Sequence, residues 1–79
     1  MKLTVFSLKG IQFEGEAASL NINTESGELT ILNHHHPLMS ILSKGTAKIG
    51  LPDGERKEIA IASGFLEMDG ENNLSILLD

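Results

Sequence analysis

Three consecutive histidines, His34-His35-His36, are the densest group of metal-capable side chains in this chain. Imidazole is the commonest transition-metal ligand. In extended backbone, neighbouring side chains point to opposite faces, so one ion cannot readily take all three. The spaced ligands of a zinc site, such as H-E-x-x-H or a cysteine pair, do not occur. The residues therefore favour a solvated turn, with Pro37 limiting where a following strand can start. Glu14, Glu16, Glu25, Glu28, Glu55, Glu58, Glu67, Asp69, Glu71 and Asp79 are spread along the chain. Paired acid–base catalysis needs two carboxyl groups in one dry cleft, whereas these fall mostly in turns or on polar strand faces. No G-x-S-x-G nucleophile elbow and no glycine-rich phosphate loop is present. The expectation is a chain without catalytic, cofactor-binding or metal residues.

What remains is a surface. Leu38, Met39, Ile41 and Leu42 follow the histidines directly and are either core or an apolar docking patch rimmed by His35, Ser40 and Ser43. The net charge of −5 argues against nucleic acid, where basic patches supply affinity, and against direct docking on anionic lipid. Three Phe and no Trp or Tyr leave little aromatic surface for base stacking. No apolar run is long enough to span a bilayer.

The elements that would position this surface are strands. Ala18, Leu20 and Ile22 alternate with Ser19, Asn21 and Asn23; Ala47, Ile49 and Leu51 with Lys48 and Gly50; Ile59 and Ile61 with Glu58, Ala60 and Ala62; and Leu74, Ile76 and Leu78 with Ser75 and Leu77. Period-two alternation marks strands with one face on a core. Gly10, Glu14-Gly15-Glu16, Glu25-Ser26-Gly27, Lys44-Gly45, Pro52-Asp53-Gly54 and Asp69-Gly70 read as turns. Pro52-Asp53-Gly54 is the sharpest, since proline presets φ and Gly54 can take φ > 0. It predicts a hairpin between Ala47–Leu51 and Glu55–Ala62, and Asp69-Gly70 predicts another leading into Asn73–Leu78. Pro37–Ser43 reads as one helical turn or as a strand. At 79 residues there is room for one domain, residues 1–79. The fold class is all-β, a flattened sandwich or barrel of about 8–10 short strands without C-terminal helices.

Ordered fragments give the chain a likeness. Leu3-Thr4-Val5, Phe13-Glu14-Gly15-Glu16, Gly27-Glu28-Leu29-x-Ile31-Leu32, His35-x-Pro37-Leu38, Gly45-x-x-x-Ile49, Gly64-Phe65-Leu66-Glu67 and Leu77-x-Asp79 follow one another across nearly the whole sequence. Together they resemble the N-terminal β-domain of the epsilon subunit of F-type ATP synthase. Thr30 stands where that family often has glycine, Asn33-His34 replaces a common Pro-Gly, and Ser63 replaces a glycine. Many family members continue into a C-terminal helical hairpin that restrains ATP hydrolysis. The resemblance implies a short form without it, either full length or an excised domain.

It also implies a role: a non-catalytic rotor subunit that couples the gamma subunit to the membrane c-ring for proton-driven ATP synthesis. By resemblance, Glu28 faces the polar loops of the c-ring, and His35, Ser40, Leu38 and Met39 face gamma. The implied location is peripheral, on the cytoplasmic face of the inner (plasma) membrane. Two other readings stand beside it: a free-standing β-sandwich adaptor and a His-turn metal-binding domain.

Overall fold

The computed structural model describes residues 1–79 and contains nine strands and no helix. They are β1 (Lys2–Ser7), β2 (Gly10–Glu16), β3 (Ser19–Thr24), β4 (Gly27–Leu32), β5 (Leu38–Leu42), β6 (Gly45–Gly50), β7 (Arg56–Ile61), β8 (Gly64–Met68) and β9 (Asn73–Leu78). They form one sheet in the order β2-β1-β9-β8-β5-β3-β6-β7, with β4 on the free side of β3. The sheet curls into a sandwich of two limbs. One is five-stranded, β2-β1-β9-β8-β5, and the other is four-stranded, β4-β3-β6-β7. All pairings are antiparallel except that of β1 with β9, which brings the two ends of the chain side by side.

The limbs join at a narrow seam. Only Thr24 and Leu42 pair between β3 and β5. Two flanking bonds extend the contact: Glu25 N–H donates to Ile41 O at 3.0 Å, and Ser43 N–H to Asn23 O at 3.0 Å. Thr24 is the one buried polar residue. Its hydroxyl donates to Gly27 O at 2.8 Å and accepts from Ser26 N–H at 3.1 Å, so its burial carries no unmet polar group.

Alternation fills the interior as the sequence predicts. Leu3 and Val5, Leu20 and Ile22, Ile31, Ala47 and Ile49, Leu66 and Met68, and Leu74 and Ile76 all point inward and are buried. The Pro52-Asp53-Gly54 turn closes β6 on β7, with Gly54 at φ 91° and its N–H bonded to Leu51 O at 3.0 Å. Asp69-Gly70 lies in the connection from β8 to β9.

Two local expectations change. Glu14-Gly15-Glu16 is not a turn but the end of β2, with Gly15 paired to Leu3 and the ring of Phe13 lying beside it. Ladder bonding to β1 outweighs the turn preference of glycine. Pro37–Ser43 resolves as strand, because Leu38–Leu42 pairs along β8 and proline stands just outside the ladder.

Gly64 begins β8 where the carbonyl of Leu77 crosses so closely that a Cβ would collide with it. Backbone cannot yield as a side-chain tip can. Gly64→Ala is therefore expected to cost about 2–4 kcal/mol, a large share of the roughly 4–12 kcal/mol that a domain this size has. Thermal unfolding followed by circular dichroism should show a Tm drop of about 10 °C or more; an unchanged Tm would mean the two strands are not held this close.

Candidate functional site: an apolar row on one outer face

The outward residues of the five-stranded limb do not follow the usual polar pattern. Strand registers pair Ile41 with Phe65, Phe65 with Leu77, Leu77 with Phe6 and Phe6 with Ile11. One apolar side chain from each of five strands therefore stands in a single row across the face. At an interstrand spacing of roughly 4.8 Å the row is about 19 Å long. Ile11, Ile41 and Leu77 are each more than half exposed, at 61%, 54% and 51%. A bulge between Val5 and Phe6 shifts the β1–β2 register, and that shift puts Ile11 beside Phe6.

The adjacent row is polar. Met39 pairs with Glu67, Glu67 with Ser75, Ser75 with Thr4 and Thr4 with Glu14. Carboxylates thus flank the apolar row, and only Met39, 67% exposed, extends it. The outer face of the four-stranded limb is different in kind. Asn21, Thr30, Lys48 and Glu58 stand in register there, and the Asn21 amide donates to Thr30 Oγ1 at 2.9 Å. Among its outward residues Leu32 is the only large exposed hydrophobe. Packed cores and interfaces are apolar while solvated faces are polar, so the two outer faces are built for different surroundings.

The residues singled out in the sequence fall in different places. Met39 stands on the outer face beside the row. Leu38 and Ser40 alternate to the inner side and are half-buried, Leu38 packing against the core. His35 is half-buried in the connection from β4 to β5, and its Nδ1 lies 2.8 Å from His36 O. Glu28 is exposed on β4, paired with Asn23, on the polar limb. Phe65, Leu77, Phe6 and Ile11 escaped the sequence reading. Each looked like an ordinary strand residue, and only register brings them together.

The histidine segment is a turn. His34 has φ 63°, and its N–H donates to Asn72 Oδ1 at 2.7 Å. Asn72, itself at φ 64°, donates from its amide to Asn33 Oδ1 at 3.3 Å and so ties this turn to the β8–β9 connection. The His35 and His36 rings meet edge to face with centroids 6.1 Å apart. No three His, Asp or Glu side chains converge as ligands. Asp69 braces the β8–β9 connection, accepting from Asn73 N–H at 3.0 Å, Glu71 N–H at 2.8 Å and the Asn73 amide at 3.1 Å. Backbone donation from Asn73, then Glu71, holds its carboxyl below the usual aspartate range.

Fold and face together define a small β-sandwich with one apolar and one polar outer surface. The chain belongs to the family described as the ATP synthase delta/epsilon chain β-sandwich domain, whose model matches residues 1–79. It is 33% identical over 79 residues to an ATP synthase epsilon chain of a Nitratiruptor species, covering all of this chain and 60% of that one. It is 36% identical over 69 residues to an ATP synthase epsilon chain of Persephonella marina, covering 87% of this chain and 51% of that one. The chain thus spans between half and three-fifths of the length of these relatives. Its fold matches a chain in the cryo-EM structure of the Euglena gracilis mitochondrial ATP synthase OSCP/F1/c-ring assembly. There the TM-score is 0.90 at 22% identity, over 96% of this chain and 48% of that one. A chain of the Tetrahymena thermophila mitochondrial ATP synthase central stalk and c-ring matches with TM-score 0.82 at 15% identity, over 98% of this chain and 61% of that one.

Two outcomes follow. His34→Gly removes the left-handed cost of a side chain and should stabilise the fold by about 0.5–1 kcal/mol net of chain entropy, raising Tm in calorimetry; a lower Tm would mean the imidazole itself holds the turn. Asp69 has a lowered folded-state pKa, so its stabilisation is present above the ordinary aspartate value and disappears as pH falls through the folded value. Asp69→Asn should therefore lower Tm at pH 7, with the difference from the parent narrowing as pH falls below the ordinary aspartate range, read in parallel melts.

Proposed function

We propose that this chain works as the β-sandwich of a non-catalytic central-stalk subunit, joining a gamma-type shaft to the c-ring. The observation that carries this reading is the apolar row on the five-stranded face, in a chain that belongs to the epsilon family. The row supplies the desolvated centre of a contact and the flanking carboxylates its rim. Gamma docks over the row, with Met39 in the contact and His35, Leu38 and Ser40 shaping its edge from the half-buried side. Glu28, exposed on the polar limb, faces the ring loops and pairs with a basic residue there through charge-assisted hydrogen bonds.

The mechanical demand suits this architecture. A coupling between shaft and ring must not slip or bend. Close-packed interiors resist deformation, and the buried residues here form one continuous cluster. Its place in the cell is peripheral, on the membrane-facing side of the catalytic head, at the cytoplasmic face.

Size-exclusion chromatography of the chain with the gamma subunit of its own organism should give a one-to-one complex at micromolar concentration. Ile41→Asp should weaken that complex at least tenfold, since it places a charge in the desolvated centre, with the circular dichroism spectrum unchanged. Glu28→Arg should leave gamma binding intact and reduce proton pumping per ATP hydrolysed in reconstituted vesicles. Absence of any complex with gamma would remove the rotor reading.

A further inference from the structure

At one end of the apolar row the seam leaves a recess of about 280 Å³, lined by Glu25, Ser26, Met39, Ser40, Ile41 and Phe65. Two elements make it. The Glu25 N–H···O Ile41 bond holds the β3–β4 turn against β5, and the β5–β8 register sets Phe65 opposite Ile41. The recess thus brings together the outward side chains of Met39, Ile41 and Phe65 with the turn residues Glu25 and Ser26, while Ser40, whose side chain alternates inward, borders it from β5. The Met1 ammonium to Glu16 contact is the only ion pair in the chain, so Glu25 has no internal counter-charge.

We infer that this recess is the anchor site for an arginine side chain of the protein that docks on the row. The inference rests on the docking reading above and names the chemistry of its strongest contact. Arginine carries a methylene stem that lies on apolar surface, and a flat guanidinium that stacks on aromatic rings and pairs with carboxylates in a fork. Met39 and Ile41 take the stem, Phe65 offers the ring, and Glu25 takes two of the five N–H donors. The exposed Ser26 can accept another. Lysine, a compact ammonium with three donors and no plane, matches this set less well. Charge selects the same partner: the chain is −5 overall, and the rim beside the row adds Glu67 and Glu14. A second copy is disfavoured on that ground. This chain's single arginine, Arg56, stands on the polar limb paired with Gly50, away from the row.

The test is binding of the intact chain to its gamma subunit by calorimetry. Glu25 is an exposed turn residue bonded to the fold through its backbone N–H, so Glu25→Gln leaves the fold intact. That variant should weaken binding about tenfold, the loss expected for a charge-assisted pair, and flatten the salt dependence. Phe65→Leu, which keeps apolar bulk and removes the ring, should weaken it severalfold. Glu71→Gln, a carboxylate on the β8–β9 connection, should change nothing. Glu25→Gln binding within twofold of the parent would overturn the inference. If the parent chain does not bind gamma at all, the rotor reading fails, and the recess is judged by itself with butylguanidinium as probe. Amide shifts confined to Glu25, Ser40, Ile41 and Phe65, and stronger than those from butylammonium, support the arginine site; equal or scattered shifts overturn it. Self-association of the chain that disappears in Arg56→Gln would overturn it in favour of a second copy.

Discussion

A single residue pair, Thr24 with Leu42, joins the two limbs of the sheet, and two backbone bonds beside it keep them in place. At this corner the ladder changes partners. β3 gives the first half of one edge to β6 and its last residue to β5, while β4 takes its other edge. The buried hydroxyl of Thr24 braces the tight turn into β4 from within, and swinging that turn away from β5 would break the bond between Glu25 N–H and Ile41 O. The stacking of the two limbs over one core and the recess beside Glu25 both depend on that corner.

The sandwich separates stability from contact. Its inward alternation buries a continuous apolar cluster, which a chain of this length needs because its stability margin is small. The outward residues are free of that duty, and the two limbs use the freedom differently. Polar pairs such as Asn21 with Thr30 and Lys48 opposite Glu58 cover one limb. On the other, five hydrophobes stand in register. Exposed apolar residues do little for an isolated domain and carry a solubility cost. A row that crosses five strands without interruption is the surface on which the proposed docking rests.

The histidine run shows how a conspicuous motif can be structural. Its backbone, not its imidazoles, does the identifiable work: His34 turns through the left-handed region and donates to Asn72, which reaches on to Asn33. Asn33-His34 makes the turn with His34 in the left-handed region, because the side chain of Asn72 from the neighbouring connection accepts the His34 N–H and its amide donates to Asn33 Oδ1.

Much of the fold was legible in the residues. Alternation identified Leu20, Ile22, Ala47, Ile49, Leu74 and Ile76 as inward, and Pro52-Asp53-Gly54 and Asp69-Gly70 as connections between paired strands. Alternation is a local property, fixed by the two-residue repeat of extended backbone. The glycine and proline signals misplaced Glu14-Gly15-Glu16 as a turn and left Pro37–Ser43 open, since Gly15 and Pro37 carry local preferences that long-range ladder bonds overrule. The site was legible only in part. Met39 and Ile41 drew attention as neighbours in sequence, but Phe6, Ile11, Phe65 and Leu77 did not. Sequence fixes which face of its own strand a side chain takes. Which side chains become its neighbours depends on strand order and register, and these are set by pairings between distant segments, above all the parallel match of β1 with β9. Only the folded sheet could align five separate hydrophobes and bring Glu25 to the end of their row.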